Sequence, residues 1–151
     1  MVCIPIASGP EGISLFIRTF AEVNDRTMNC SHECLICLGS NKDGVLRLKT
    51  AEYMLEELFP GIHWGRILTT IPEGTDFPAL YMNRAARLYT AMSPEALQDC
   101  LKDIERRNGR TPDDKQRGIV ALDIDLLTYD GRILRPKDWD KHYVQQALEA
   151  L

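Results

Sequence analysis

The chain has 151 residues, of which 44% are hydrophobic and 26% charged, the composition of one globular domain and not of a disordered or collagen-like chain. Eighteen Lys and Arg against 22 Asp and Glu leave a formal charge of −4, which argues against a protein held on nucleic acid by a general positive field. No apolar run approaches the ~20 residues that span a bilayer, and no basic segment followed by an apolar stretch opens the chain, so the sequence predicts a cytoplasmic protein without a membrane partner.

Residues 1–30 read as an N-terminal extension and 31–151 as the domain proper. Pro5, Gly9, Pro10 and Gly12 break the start, and Ile13, Phe16, Ile17 and Phe20 then recur at helical spacing. Met28 is a second possible start. Cys30, Cys34 and Cys37 have the spacing that holds an iron–sulfur cluster, but a strand over residues 33–38 points Cys34 and Cys37 to opposite faces. Buried core thiols are the simpler reading.

That strand runs into a turn at Gly39-Ser40-Asn41. Leu48, Ala51, Leu55 and Leu58 then line one face of a helix from Val45 to Phe59, stopped by Pro60-Gly61. A strand is predicted over Ile62–Ile71, an irregular loop over 72–78, and a strand over Leu80–Met92. Ser93-Pro94 is a helix start, with a side-chain cap followed by Pro at the first helical position; that helix should run to Asn108 and stop at Gly109. A polar loop over Arg110–Gly118 leads to a strand over Ile119–Tyr129. Asp130-Gly131 turns the chain into Arg132–Leu134. The tail from Asp138 forms a last helix through Val144, Ala147, Leu148 and Leu151. The order β-α-β-β-α-β, with a hairpin and a helix appended, predicts an α+β fold: a ferredoxin-like split βαβ sandwich, its antiparallel sheet covered by helices.

The segment Leu122-Asp123-Ile124-Asp125-Leu126-Leu127 carries the strongest chemical signal. Residues two apart on a strand share a face, about 6.5 Å apart, so Asp123 and Asp125 stand side by side while Leu122, Ile124 and Leu126 bury the other face. Adjacent carboxylates repel, and a divalent cation between them relieves that cost; Mg²⁺ suits an all-oxygen donor set. The alternative is an exposed sheet face with two solvated carboxylates. Glu105, Arg106, Arg107 and Arg110 end the preceding helix, with Lys115 and Arg117 in the loop that follows. They fit either a polyphosphate site or an ordinary basic helix C-terminus.

Gly39-Ser40-Asn41, Tyr81-Met82-Asn83, Ile104-Glu105 with Gly109-Arg110, and Leu122–Leu127 occur in this order over residues 33–136. Together they resemble the 6-hydroxymethyl-7,8-dihydropterin pyrophosphokinase family. The resemblance implies transfer of pyrophosphate from ATP to the pterin hydroxymethyl oxygen in folate biosynthesis, with release of AMP. It implies that Asp123 and Asp125 hold two Mg²⁺ ions. Arg110 would act at the phosphates, with Glu105, Lys115 and Arg117 also on the ATP side. Thr70, Tyr81 and Asn83 would contact the pterin, with Tyr143 or Trp139 as a second stacking wall, in a chain working as a monomer. The chain also departs from the family: Ile119-Val120 follows Gly118 where members carry Pro-Arg, and the later histidine and arginine that touch ATP have no clear counterpart. Lys137, Lys141 or His142 would substitute for them. A non-catalytic pterin- or nucleotide-binding relative, or an interaction module of the same fold, would share the pattern without the chemistry.

Overall fold

A computed structural model describes residues 31–71, 80–109 and 111–151. The expected extension and the expected loop over 72–78 lie outside the described residues. Strand β1 (His32–Ser40) is followed by helix α1 (Gly44–Leu58), short strands β2 (His63–Trp64) and β3 (Leu68–Thr70), and strand β4 (Tyr81–Thr90). Then come α2 (Pro94–Arg107), α3 (Pro112–Gln116), β5 (Asp123–Tyr129), β6 (Arg132–Ile133), α4 (Pro136–Trp139) and α5 (His142–Glu149). The strands form one antiparallel sheet in the order β2-β4-β1-β5-β6, with β3 also paired to β4. The α+β class and the split βαβ order are therefore as the sequence predicts.

Alternation along the strands builds two cores. Cys34, Ile36 and Leu38 of β1, Ala86 and Leu88 of β4, and Ile124 and Leu126 of β5 pack with α1 and α2 through Leu48, Leu55, Leu97 and Ile104. On the opposite face Cys37, Ala85 and Leu127 meet Val144 and Ala147 of α5, with Trp139 and Tyr143 against them. Cys34 and Cys37 do lie on opposite faces, and no group of three or more metal-ligating His, Cys, Asp or Glu occurs among the described residues.

Several boundaries differ from the sequence reading. The single strand expected over Ile62–Ile71 is split: Trp64 lies opposite Ala86 and Leu68 opposite Asn83, so this edge carries one residue more than β4 between those points. That is a bulge around Gly65, whose bare Cα lets the backbone of Ala150 approach; an added Cβ would lie 3.1 Å from Ala150 O. The polar loop before Gly118 contains the one-turn helix α3. Strand β5 begins at Asp123, not Ile119, because the lead-in is bonded to Asn41 instead of to a neighbouring strand. The terminal helix is two helices, interrupted where Lys141 turns extended (ψ 132°). The Ser93 cap is present, its Oγ accepting from Ala96 N at 3.2 Å. Asp130 (φ 50°) and Gly131 (φ 78°) make the tight hairpin turn.

Candidate active site

The site lies on the sheet face that carries α4 and α5. Across it runs one register row: Asp123 of β5 lies opposite Gly39 of β1, Gly39 opposite Asn83 of β4, and Asn83 opposite Leu68 of β3. In the next row Asp125 lies opposite Cys37, and Cys37 opposite Ala85. Three side chains predicted from the sequence, Asp123, Asp125 and Asn83, thus come together because β1 sits between β4 and β5.

Gly39 has no side chain for a steric reason. A Cβ there would lie 2.8 Å from both Cε1 and Oη of Tyr81 and 3.1 Å from Asn83 Oδ1. The Tyr81 ring leans across the row between Asn83 and Asp123. Burial, and next the Asp123 charge, raise its phenol well above the ordinary range, so it stays protonated. Tyr143 of α5 faces it, with ring centroids 6.2 Å apart and a 53° tilt. Thr70 lies opposite Tyr81 and donates its hydroxyl to Tyr81 O at 3.4 Å. Asn83 is 1% exposed, and its Nδ2 has no hydrogen-bond partner among the described residues. A buried amide donor left open is costly unless something accepts from it.

The turn motif has a mechanical role. Ser40 Oγ donates to Ala121 O at 2.6 Å, Asn41 Nδ2 donates to Gly118 O at 2.8 Å, and Val120 N donates to Asn41 Oδ1 at 2.6 Å. The end of β1 therefore fastens the segment that feeds the aspartates. From the other side Glu105, 1% exposed, accepts the Ile124 N–H at 2.7 Å and is paired with Lys102 at 3.0 Å. A solvated position for Glu105 is ruled out by that burial. The structure places it beneath the aspartate strand, where burial pushes its carboxyl pKa up and the Ile124 amide and Lys102 pull it down.

The aspartates face like charge. Burial, and then the charge of Asp123, push the Asp125 carboxyl from 3.8 up to about 6, with Arg135 opposing. Cys37 beneath them is pushed up to about 12, mainly by burial and then by both carboxylates, so it is an inert thiol. Arg135, which sequence reasoning did not select, places Nη1 3.0 Å from Asp125 Oδ1 and Nε 2.5 Å from Asp138 Oδ2. Asp138 Oδ1 is in turn 2.6 Å from Lys141 Nζ. The signal for Arg135 was present but indirect: the Asp130-Gly131 hairpin folds the chain back, and Leu134 N bonds to Leu127 O at 2.8 Å, returning the next residue toward β5.

The loop beyond α2 carries the remaining predicted cations. Lys115 belongs to α3, and Arg117 is exposed in the turn after it. Arg110 lies outside the described residues. Arg106 is ion-paired with Asp103 on its own helix. A divalent metal fits what is there. Two carboxylates on one face give hard oxygen donors, and Asp125 Oδ1 is buried without a hydrogen-bond partner among the described residues. Mg²⁺ commonly takes one or two protein carboxylates and completes its shell with phosphate oxygens and water.

No helix among the described residues is long and apolar enough to cross a membrane. No curated protein matches the chain. A model of the family described as 7,8-dihydro-6-hydroxymethylpterin-pyrophosphokinase matches residues 35–151, and the chain belongs to that family of ATP-dependent diphosphotransferases of folate synthesis.

Proposed function

We propose that the chain transfers the terminal pyrophosphate of ATP to the hydroxymethyl oxygen of 6-hydroxymethyl-7,8-dihydropterin. The alcohol oxygen forms its bond to the β-phosphorus and gives up its proton to solvent, the bond from that phosphorus to the oxygen bridging the α-phosphate breaks, and AMP leaves. The observation that carries this reading is the row Asp123–Gly39–Asn83, which sets a carboxylate, with Asp125 in the next row, and an unpaired buried amide on opposite flanks of a glycine covered by the Tyr81 ring.

Asp123 and Asp125 are the residues that would hold Mg²⁺, two ions as the family resemblance implies. Mg²⁺ bound there neutralises charge on the transferred group and lowers the cost of bringing an alcohol to a polyanion. The other roles fall to the protein. Asn83 Nδ2 donates to an acceptor on the pterin edge. Tyr81 and Tyr143 supply aromatic surface for its flat ring, and Thr70 borders it at the sheet edge. Glu105 keeps the two carboxylates in register by fixing the amide between them. Arg110, Lys115 and Arg117 meet the nucleotide from the loop beyond α2. The reading takes a monomer in the cytoplasm as the working unit.

The test is release of AMP from ATP and Mg²⁺ in the presence of the reduced pterin alcohol. AMP formed only when all three are present supports the reading; an inert, folded wild-type chain ends it.

A further inference from the structure

Arg135 directly precedes Pro136, and its backbone (φ −130°, ψ 74°) holds it outside the helical region at the start of α4. From there one planar guanidinium reaches two carboxylates, with Nη1 at Asp125 and Nε at Asp138. The two contacts are unlike. Asp138 is gripped at 2.5 Å and held again by Lys141. Asp125 Oδ1 is 3.0 Å from Nη1 yet makes no aligned hydrogen bond, so only charge holds that side. The Arg135 side chain is 43% exposed, so its guanidinium is open to solvent beside the Asp138 anchor.

We propose that Arg135 is an exchanging counter-ion, which neutralises Asp125 in the metal-free protein and swings on Asp138 to the polyphosphate once a divalent cation takes Asp125. This rests on the functional reading above. A divalent ion at Asp125 Oδ1 and a guanidinium at the same oxygen repel each other, so the two compete for it. The displaced group keeps one carboxylate through Nε and turns its free N–H pairs outward, the fork geometry that suits phosphate oxygens. An arginine after the aspartate strand thereby supplies positive charge in a chain with Ile119-Val120 after Gly118, where the family it resembles carries Pro-Arg.

The proposal gives two effects of opposite sign. In Arg135→Gln, Mn²⁺ alone, followed by the spin-resonance signal of the free ion, should bind about 3- to 10-fold tighter because its competitor is gone. The same variant should bind Mn²⁺ with α,β-methylene ATP about 10-fold or more weakly by calorimetry, with the pterin alcohol unaffected. Arg135→Lys should restore wild-type Mn²⁺ affinity, since a point charge still competes, but recover nucleotide affinity only in part. If Arg135→Gln leaves both affinities unchanged, the contact is a surface strut and the proposal is wrong. If it weakens Mn²⁺ alone, Arg135 supports the metal instead of competing, which also overturns it. A wild-type chain that binds Mn²⁺ but no nucleotide removes the functional reading, and the phosphate half of this proposal with it. Thermal melts of both variants establish that they are folded.

Discussion

The Glu105 carboxylate accepts the backbone N–H of Ile124, the residue between the two aspartates, at 2.7 Å. Strand β6 pairs only with Thr128 and Tyr129, so β5 has no outer strand partner at Ile124, and a helix side chain takes its place. The bond ties the strand that carries both carboxylates to α2 on the far side of the sheet. Glu105→Ala leaves that amide buried without its acceptor, which should cost about 1–3 kcal/mol in urea unfolding and lower AMP release as well. Glu105→Gln keeps an oxygen and should lose less in both; equal losses would show that charge, not acceptance, is what matters.

Asp125 links stability to pH. Its carboxyl titrates at about 6 in the folded protein, raised first by burial and then by Asp123. Between the unfolded value near 4 and about 6, the folded state binds more protons, so stability falls as pH rises through that window. With metal removed by a chelator, Asp125→Asn should be more stable than wild type at pH 7.5 by about 1 kcal/mol, after allowance for partial exposure, with the gap closing near pH 4. Excess Mg²⁺ should stabilise the wild type alone. Urea midpoints across pH measure this, and a gap independent of pH would assign it to packing. Asp123→Asn and Asp125→Asn should each abolish AMP release while the fold persists.

Asn83 offers a separation of fold from function. Its Nδ2 has no partner to lose among the described residues, so Asn83→Ala should cost the fold less than about 1 kcal/mol, below the cost for a fully bonded buried amide. Calorimetry should show pterin affinity reduced about 10-fold or more and nucleotide affinity unchanged. Loss of both would place the amide on the nucleotide side.

Tyr81 is read through its ring. Tyr81→Phe should be mild and Tyr81→Ala severe for pterin binding; a reversed ranking would make the hydroxyl the working group. Gly39→Ala should be as damaging as Tyr81→Ala, since the new methyl meets Tyr81 Cε1 as closely as its Oη. For that reason Gly39→Ala combined with Tyr81→Phe should show no relief, whereas stability, read by thermal melts, should partly recover in Gly39→Ala combined with Tyr81→Ala.

What could be read in advance was what depends on short-range periodicity. The strict alternation of Leu122–Leu126 fixes which face the carboxylates occupy, and Ser93-Pro94 marks a helix start wherever it stands. The sequence reading predicts one strand over Ile62–Ile71 and misses the bulge at Gly65, although a glycine inside a strand often marks one. Helix α3 was hidden because Pro112 and four polar residues have no apolar period to betray them. Arg135 lies ten positions after Asp125 and reaches it only through a hairpin return and the proline that follows, a three-dimensional closure that spacing along the chain does not encode. Glu105 could be placed on α2, but its burial against an edge amide depends on how helix and strand meet.

Strand β1 separates the two halves of the site: the acidic half belongs to a strand on one side of it and the amide half to a strand on the other. Neither half has its counterpart until a segment near residue 39 has recruited partners more than forty and more than eighty positions further on. Pairings between positions so distant in the chain are intrinsically slow to form. Until both pairings exist Asp123 and Asn83 do not share a face, so capture of a ligand that needs both would report completed folding.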